Sequence, residues 1–314
     1  MPRPKFRFRE LGDLLKHTAS DWKEDKAARL AAALAYYTAI SIAPLLVVII
    51  AIAGMVLGEE AARGAILGEL GGLVGHESAQ TVESMIAAAN RPRSGALATA
   101  FGIGVLIFGA SGVFKELQDS LNTIWEVKPK PGQGLRAFIR KRFLSISMVF
   151  GTAFLLLVSL VVSTALSALG RVVERFLPGA PIIWQILGNL VSFGIVTLLF
   201  AMIFKFLPDV KIQFRDVWIG AVVTALLFMF GKFLLGLYLS RSSVTTGYGA
   251  AGSIVAMLLW VYYSAQIFFF GAEFTQAYAR RYGSRIEPDE HATAVTEEER
   301  AQQGLDPGKP VPAT

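Results

Sequence analysis

The chain has 314 residues, of which 54% are hydrophobic and 17% charged, with a formal net charge of +6 and no cysteine. Soluble domains carry about a quarter charged residues, so a soluble enzyme or a basic nucleic-acid-binding domain is a poor match, and disulfides or thiolate metal sites are excluded. The charges are clustered, and the long intervals between clusters have none.

In chain order, residues 1–29 form a polar N-terminal segment in which Leu11, Leu14, Leu15, Thr18 and Trp22 recur at helical spacing among lysines. That pattern predicts a helix along the membrane surface, with Trp22 at headgroup level. The first span is Leu30–Leu57, too long for the roughly 7–15-residue apolar core of a signal peptide. Ala27, Ala31, Ala35, Ala39 and Ala43 form an i, i+4 stripe that lets a neighbouring backbone approach. Pro44 removes a backbone hydrogen bond and predicts a kink. The connection 58–93 carries Ile66, Leu67, Leu70, Leu73 and Val74, then Val82, Met85, Ile86 and Ala89. These two apolar faces predict two short amphipathic helices.

The remaining spans are predicted at 94–114, 143–170, 177–204, 217–240 (interrupted once, by Lys232) and 242–276, the last free of charge as far as Ala272. A bilayer core needs roughly 20 apolar helical residues, and strands fail because alternation is absent and an open sheet edge cannot face lipid. The expected fold is therefore all-α: a polytopic membrane protein with six transmembrane helices over 30–283, plus amphipathic interfacial helices. Residues 284–314 are polar, contain proline and lack periodicity, which predicts a disordered tail. Most of the 30 lysines and arginines fall in the N-terminal segment, in 115–142, in 205–215 and beyond Arg280. By the positive-inside rule both ends are cytoplasmic.

Candidate site residues are the polar groups in or at the ends of spans. A charge at the bilayer centre costs at least ~2.5–3.5 kcal/mol, so Lys232 either lines a polar interior or snorkels to the headgroups. Tyr263, Gln266 and Glu273 share a face of the sixth span. Glu273 is either part of a polar path or a terminal anchor paired with Lys205. Lys115, Glu116, Asp119 and Asn122 run along the end of the second span, as an inner mouth or as an i, i+4-stabilised helix end. Tyr36, Tyr37 and Ser41 offer hydroxyls to a path or serve as interhelical packing.

The runs ALAYYTAISIAPLL (33–46), FGASGVFKELQDSLNTIWEV (108–127), FKFLPDVKIQFRDVWIGAVVTALLFMFGK (204–232) and TGYGAAGSIVAMLLWVYYSAQIFFFGAEFTQAYA (246–279) carry a resemblance. In order and spacing they resemble the YihY/BrkB family of bacterial inner-membrane proteins across roughly residues 10–283. The resemblance implies a six-helix inner-membrane protein of the envelope. The family's older ribonuclease label is regarded as a misassignment, and some members are linked to envelope integrity, serum resistance or transport of lipid-like components. It brings no catalytic residues.

From the residues themselves an enzyme is disfavoured. His17, His76 and His291 are scattered, and there is no HxH, HExxH or P-loop pattern, whereas a metal nuclease needs converging ligands. Two readings remain. One is a transporter-like protein that moves or hands on a lipid or amphiphilic component, and the other is a non-transporting scaffold. Expected partners are membrane lipids or an amphiphilic substrate, with a second copy or envelope proteins as further partners. No cofactor and no nucleic acid is expected.

Overall fold

The structure is a computed structural model that describes residues 10–74, 76–89, 96–130, 147, 151, 181–241, 252–283, 286–302 and 304–305. The third expected span, 143–170, lies almost wholly outside the described residues.

Helix α1 (Leu11–Glu24) is followed by α2 (Ala27–Leu57), α3 (Glu59–Val74), α4 (His76–Ala89) and α5 (Ala96–Ile124). Next come strand β1 (Val127–Pro129), helix α6 (Pro181–Phe206), strand β2 (Val210–Lys211), and helices α7 (Phe214–Arg241) and α8 (Gly252–Arg281). Strands β3 (Glu287–Pro288) and β4 (Ala292–Ala294) and helix α9 (Glu297–Gln302) complete the described chain. Among the described residues, four helices are long and apolar enough to cross a membrane: Ala27–Met55, Ile186–Phe206, Phe214–Tyr238 and Gly252–Arg281. The helix of the second expected span runs on to Ile124, ten residues beyond the apolar run.

Small residues set the packing. In the alanine stripe of α2, Ala27, Ala31, Ala35 and Ala43 are buried, and α2 lies between α5 and α8. The helix runs through Pro44 without interruption, and its ring is a contact surface: a Cβ on Gly109 of α5 would lie 3.1 Å from its Cγ. One turn away, a Cβ on Gly112 would lie 3.1 Å from the Ser41 hydroxyl. Helices α7 and α8 meet through two reciprocal notches, Gly220 against Thr275 and Gly271 against Thr224. Each threonine hydroxyl donates to the carbonyl four residues earlier, 2.7 Å away, which belongs to the glycine of its own helix. Each helix therefore presents Gly-x-x-x-Thr to the other.

The main core joins Ala31 and Leu34 to Leu121, Trp125, Phe204 and Phe269. Within it the rings of Phe200, Phe204 and Phe268 stand 5.1–6.3 Å apart. The connection between α2 and α5 forms two helices, α3 and α4. Val82 and Ile86 pack with Ile49, Ile50 and Met257 at the end remote from the chain termini.

Two expectations are corrected at the near end. Helix α1 buries Leu14 against Phe274, Tyr278 and Tyr282 of the α8 end, and Trp22 packs on the main core. Leu14 and Trp22 are therefore held by protein, while Leu15 stays exposed. The tail is also not disordered over its described part. Strand β4 pairs antiparallel with β1, β3 pairs with β2, and α9 follows. Its order comes from partners far away in the chain, which local composition does not register.

Candidate functional site

The densest polar chemistry lies where both ends of the described chain meet. Helix α1 ends at Glu24, and Lys26, in the left-handed region at φ 52°, turns the chain into α2. That turn buries Asp25 completely. Helix α5 ends in a second left-handed residue, Glu126, at φ 56°, which turns the chain into β1 and points its carboxylate inward. From the tail, Arg300 enters between them and is only 1% exposed. Its guanidinium donates to Asp25 at 2.7 Å and lies 3.4 Å from Glu126 Oε1. Arg280 of α8 donates to the other oxygen of Glu126 at 2.6 Å.

Burial opposes the charge on Arg300, but Asp25, Glu126 and Glu273 more than offset it and hold its pKa above the usual arginine value. Three carboxylates, from the α1–α2 turn, the turn after α5 and α8, thus act on one guanidinium. Replacing one partner would strand a buried charge, which costs about 3–5 kcal/mol.

A second polar clamp lies beside the first. Asn122 and Asp209 exchange hydrogen bonds, from Asn122 Nδ2 to Asp209 Oδ2 at 2.9 Å and from Asp209 N to Asn122 Oδ1 at 2.8 Å. Gln118 adds a third bond to Asp209 at 3.2 Å. These bonds fix the turn between α6 and α7 onto the end of α5. Gln276 of α8 donates to the Ile124 carbonyl at 2.5 Å. The polar face Gln118–Asn122–Glu126 of the α5 end thus meets Glu273–Gln276–Arg280 of α8. Under the tail is a cavity of about 160 Å³, lined by Asp119, Asn122, Thr123, Glu126, Arg300 and Leu305 among others.

The predicted site residues divide into two sets. Asn122 and Glu273 belong to this cluster, and Asp119 lines its cavity. Glu273, 0% exposed, does not pair with Lys205 as expected. Lys205 donates to the Ile212 carbonyl and sits 5.0 Å from the Phe214 ring centre. Lys115 is exposed and Glu116 half-buried on the outer side of α5. The rest are elsewhere. Lys232 is exposed on α7, next to exposed Phe233 and two residues from exposed Phe230. Its neighbour Gly231 gives room to Tyr263 and Ile267 of α8, since a Cβ there would lie 3.2 Å from Tyr263 Cε1. Gln266 is half-buried on α8. Tyr36 and Tyr37 are exposed and meet edge to face at 5.7 Å, while Ser41 is buried at the α5 contact.

Sequence reasoning missed Asp25, Glu126, Asp209, Arg280 and Arg300. The available signal was the i, i+4, i+8 spacing of Gln118, Asn122 and Glu126, a polar stripe too regular for a helix end that only faces water. Among the described residues, no group of three or more His, Asp or Glu is arranged to hold a metal ion.

Several long apolar helices packed through small residues, with their polar chemistry gathered at one end, define a multi-pass helical membrane protein. Within that class the chain belongs to the BrkB virulence-factor family, whose family model matches residues 18–296. It is 26% identical to a UPF0761 membrane protein of Psychrobacter sp. (strain PRwf-1) over 94% of this chain and 54% of that one. It is 28% identical to a UPF0761 membrane protein of Pseudoalteromonas translucida over 85% and 88% of the two chains. A Bacillus subtilis relative, 24% identical over 82% of this chain and 92% of its own length, is named a putative ribonuclease-like protein, YfkH. The chain spans only about half the length of the Psychrobacter relative. No solved structure matches it.

Proposed function

We propose that this protein is a transporter-like component of the bacterial inner membrane that moves or hands on a lipid or another amphiphilic envelope component. The observation that carries the reading is the setting of Lys232. It is an exposed cation within a long apolar helix, with exposed Met229 one turn before it and exposed Gly236 one turn after it on the same side. A lysine on such a face is costly unless it reaches water or meets an anion, and the anionic head of an amphiphile moving along the helix supplies one. An exterior route suits a substrate whose tail stays in lipid.

Six crossings with both ends cytoplasmic belong to the same reading. Helices α5 and α6 end at the same polar end, where Asn122 holds Asp209. On this reading the chain changes ends between them, and the apolar run 143–170 is the segment proposed to cross.

The test is replacement of Lys232 in a deletion strain under envelope stress. Lys232→Met keeps most of the stem and removes the charge. At normal membrane abundance it should fail to complement, and Lys232→Arg should restore function at least in part. Full complementation by Lys232→Met would remove the role given to this residue.

The alternative is a non-transporting scaffold that supports envelope integrity. It is favoured by the extent to which the polar end is tied to the chain's own tail. On that reading Lys232→Met complements fully, and loss of function tracks the loops or tail. Neither reading includes catalysis, so RNA cleavage that co-purifies with the protein and is lost on mutating this chain alone would overturn both.

A further inference from the structure

The described tail, residues 286–302 and 304–305, touches three described connections at the polar end. Val295 N donates to the Glu126 carbonyl at 2.9 Å and Lys130 N to the His291 carbonyl at 3.0 Å, bracketing the β1–β4 pairing. Asp289 N donates to the Asp209 carbonyl at 2.9 Å beside the β2–β3 pairing. Lys128 pairs with Glu299, and Lys26 donates to the Gly304 carbonyl. Arg300 is buried between Asp25 and Glu126. One short segment therefore joins the α1–α2 turn, the end of α5 and the α6–α7 turn.

Three features of this attachment differ from those of a permanent core. Its secondary structure consists of strands of two and three residues and a helix of six, lengths that are not stable alone. Its buried apolar anchors are small in number and size: Ala292, Val295 and Leu305. It roofs a partly open cavity of about 160 Å³, lined by Val295, Arg300 and Leu305 from the tail and by Asp119, Asn122 and Thr123 of α5. The main fastening is also ionic. Lifting the segment would hydrate Arg300, Asp25 and Glu126 together, so the lost attraction is largely repaid by solvation. An apolar plug of the same size would gain nothing from water.

We propose that residues 286–305 form a strap that opens and closes over the polar end of the bundle, with Arg300 as its pin. When closed, the strap covers the cavity and neutralises the buried carboxylates. When open, it exposes Asn122, Glu126 and Asp25 to solvent while α2, α5, α7 and α8 keep their packing. Such a segment opens locally, at lower free energy than global unfolding. The proposal is independent of any transported substrate.

The test is hydrogen exchange on the full chain in lipid nanodiscs. Amides of 292–302 should exchange at least tenfold faster than those of Phe268–Gln276 in α8. A disulfide between Val127→Cys and Ala294→Cys, which are register partners in a chain with no native cysteine, should slow strap exchange, and reduction should restore it. Arg300→Gln should speed strap exchange a further tenfold and leave Phe268–Thr275 unchanged. Strap amides as slow as those of α8, or an Arg300→Gln variant that loosens α8 equally, would show a fixed keystone and overturn the proposal. If Arg300→Gln does not accumulate, the oxidised and reduced forms of the cysteine pair decide alone, and equal strap exchange in the two would refute it.

Discussion

Gly271 of α8 is a socket for Thr224 of α7: a Cβ added at Gly271 would lie 2.8 Å from the threonine Cβ, with Gly220 and Thr275 repeating the arrangement in reverse. Neither contact partner can retreat, because each threonine hydroxyl is tied to its own helix at 2.7 Å. Gly220→Ala and Gly271→Ala should each destabilise the protein by roughly 1–3 kcal/mol, the usual range for overpacking. Gly236→Ala, where nothing lies within 4 Å, should be neutral or slightly stabilising. Thermal unfolding in one detergent compares the three, and equal midpoints would mean that α7 and α8 do not interlock this way.

The clamp on Asp209 makes a second prediction. Asn122→Ala removes two of its side-chain-mediated bonds and leaves the weaker one from Gln118. The expected loss is about 1–3 kcal/mol, the cost of leaving partly buried polar groups unmet. Because the bonds fix one turn, limited proteolysis should find new cleavage between α6 and α7 before the bundle unfolds.

Acid should loosen the tail from its outer edge. The hydrogen bond from Lys128 holds the Glu299 carboxyl below the usual 4.5. A depressed carboxylate contributes stability that is complete above pH 4.5 and lost as pH falls through the folded-state value. Strap exchange should therefore be flat from neutral pH down to about 4.5 and then rise, once the intrinsic pH dependence of exchange is removed. Glu299→Gln should abolish that rise, and a rise that survives the substitution would place the titrating group elsewhere.

Topology can be read with two single cysteines in this cysteine-free chain. Gly64 on α3 and Gly12 on α1 are exposed, with nothing within 4 Å of an added Cβ. With both ends cytoplasmic, an impermeant maleimide added to intact spheroplasts should label Gly64→Cys and spare Gly12→Cys. The opposite pattern would invert the orientation.

The sequence made the helices easy to find, because a charge-free run of about 20 residues has few uses outside a bilayer. The Ala27–Ala43 stripe and the room beside Gly231 were readable for a similar reason: close approach requires small residues whatever the partner. The polar end was harder to read. Arg300 has the same local surroundings as a solvated charge, EEER, and its burial depends on Asp25, 275 positions earlier. Strands of two or three residues show no alternation to detect. Lys205 looked like an ion-pair partner for Glu273 by depth alone, yet a carbonyl seven residues on, at Ile212, was nearer.

The separation of Asp25 from Arg300 also sets an order of events during synthesis. Asp25 leaves the ribosome 275 residues before Arg300, so the described membrane helices are made before the guanidinium that pairs with Asp25, whereas Glu126 meets Arg280 as soon as α8 is made. Through that interval Asp25 must remain hydrated, because an ionised carboxylate does not stay buried alone. The nascent bundle therefore keeps a wet mouth at Asp25 until the segment carrying Arg300 arrives. A chain cut short before Arg300 would carry that mouth permanently.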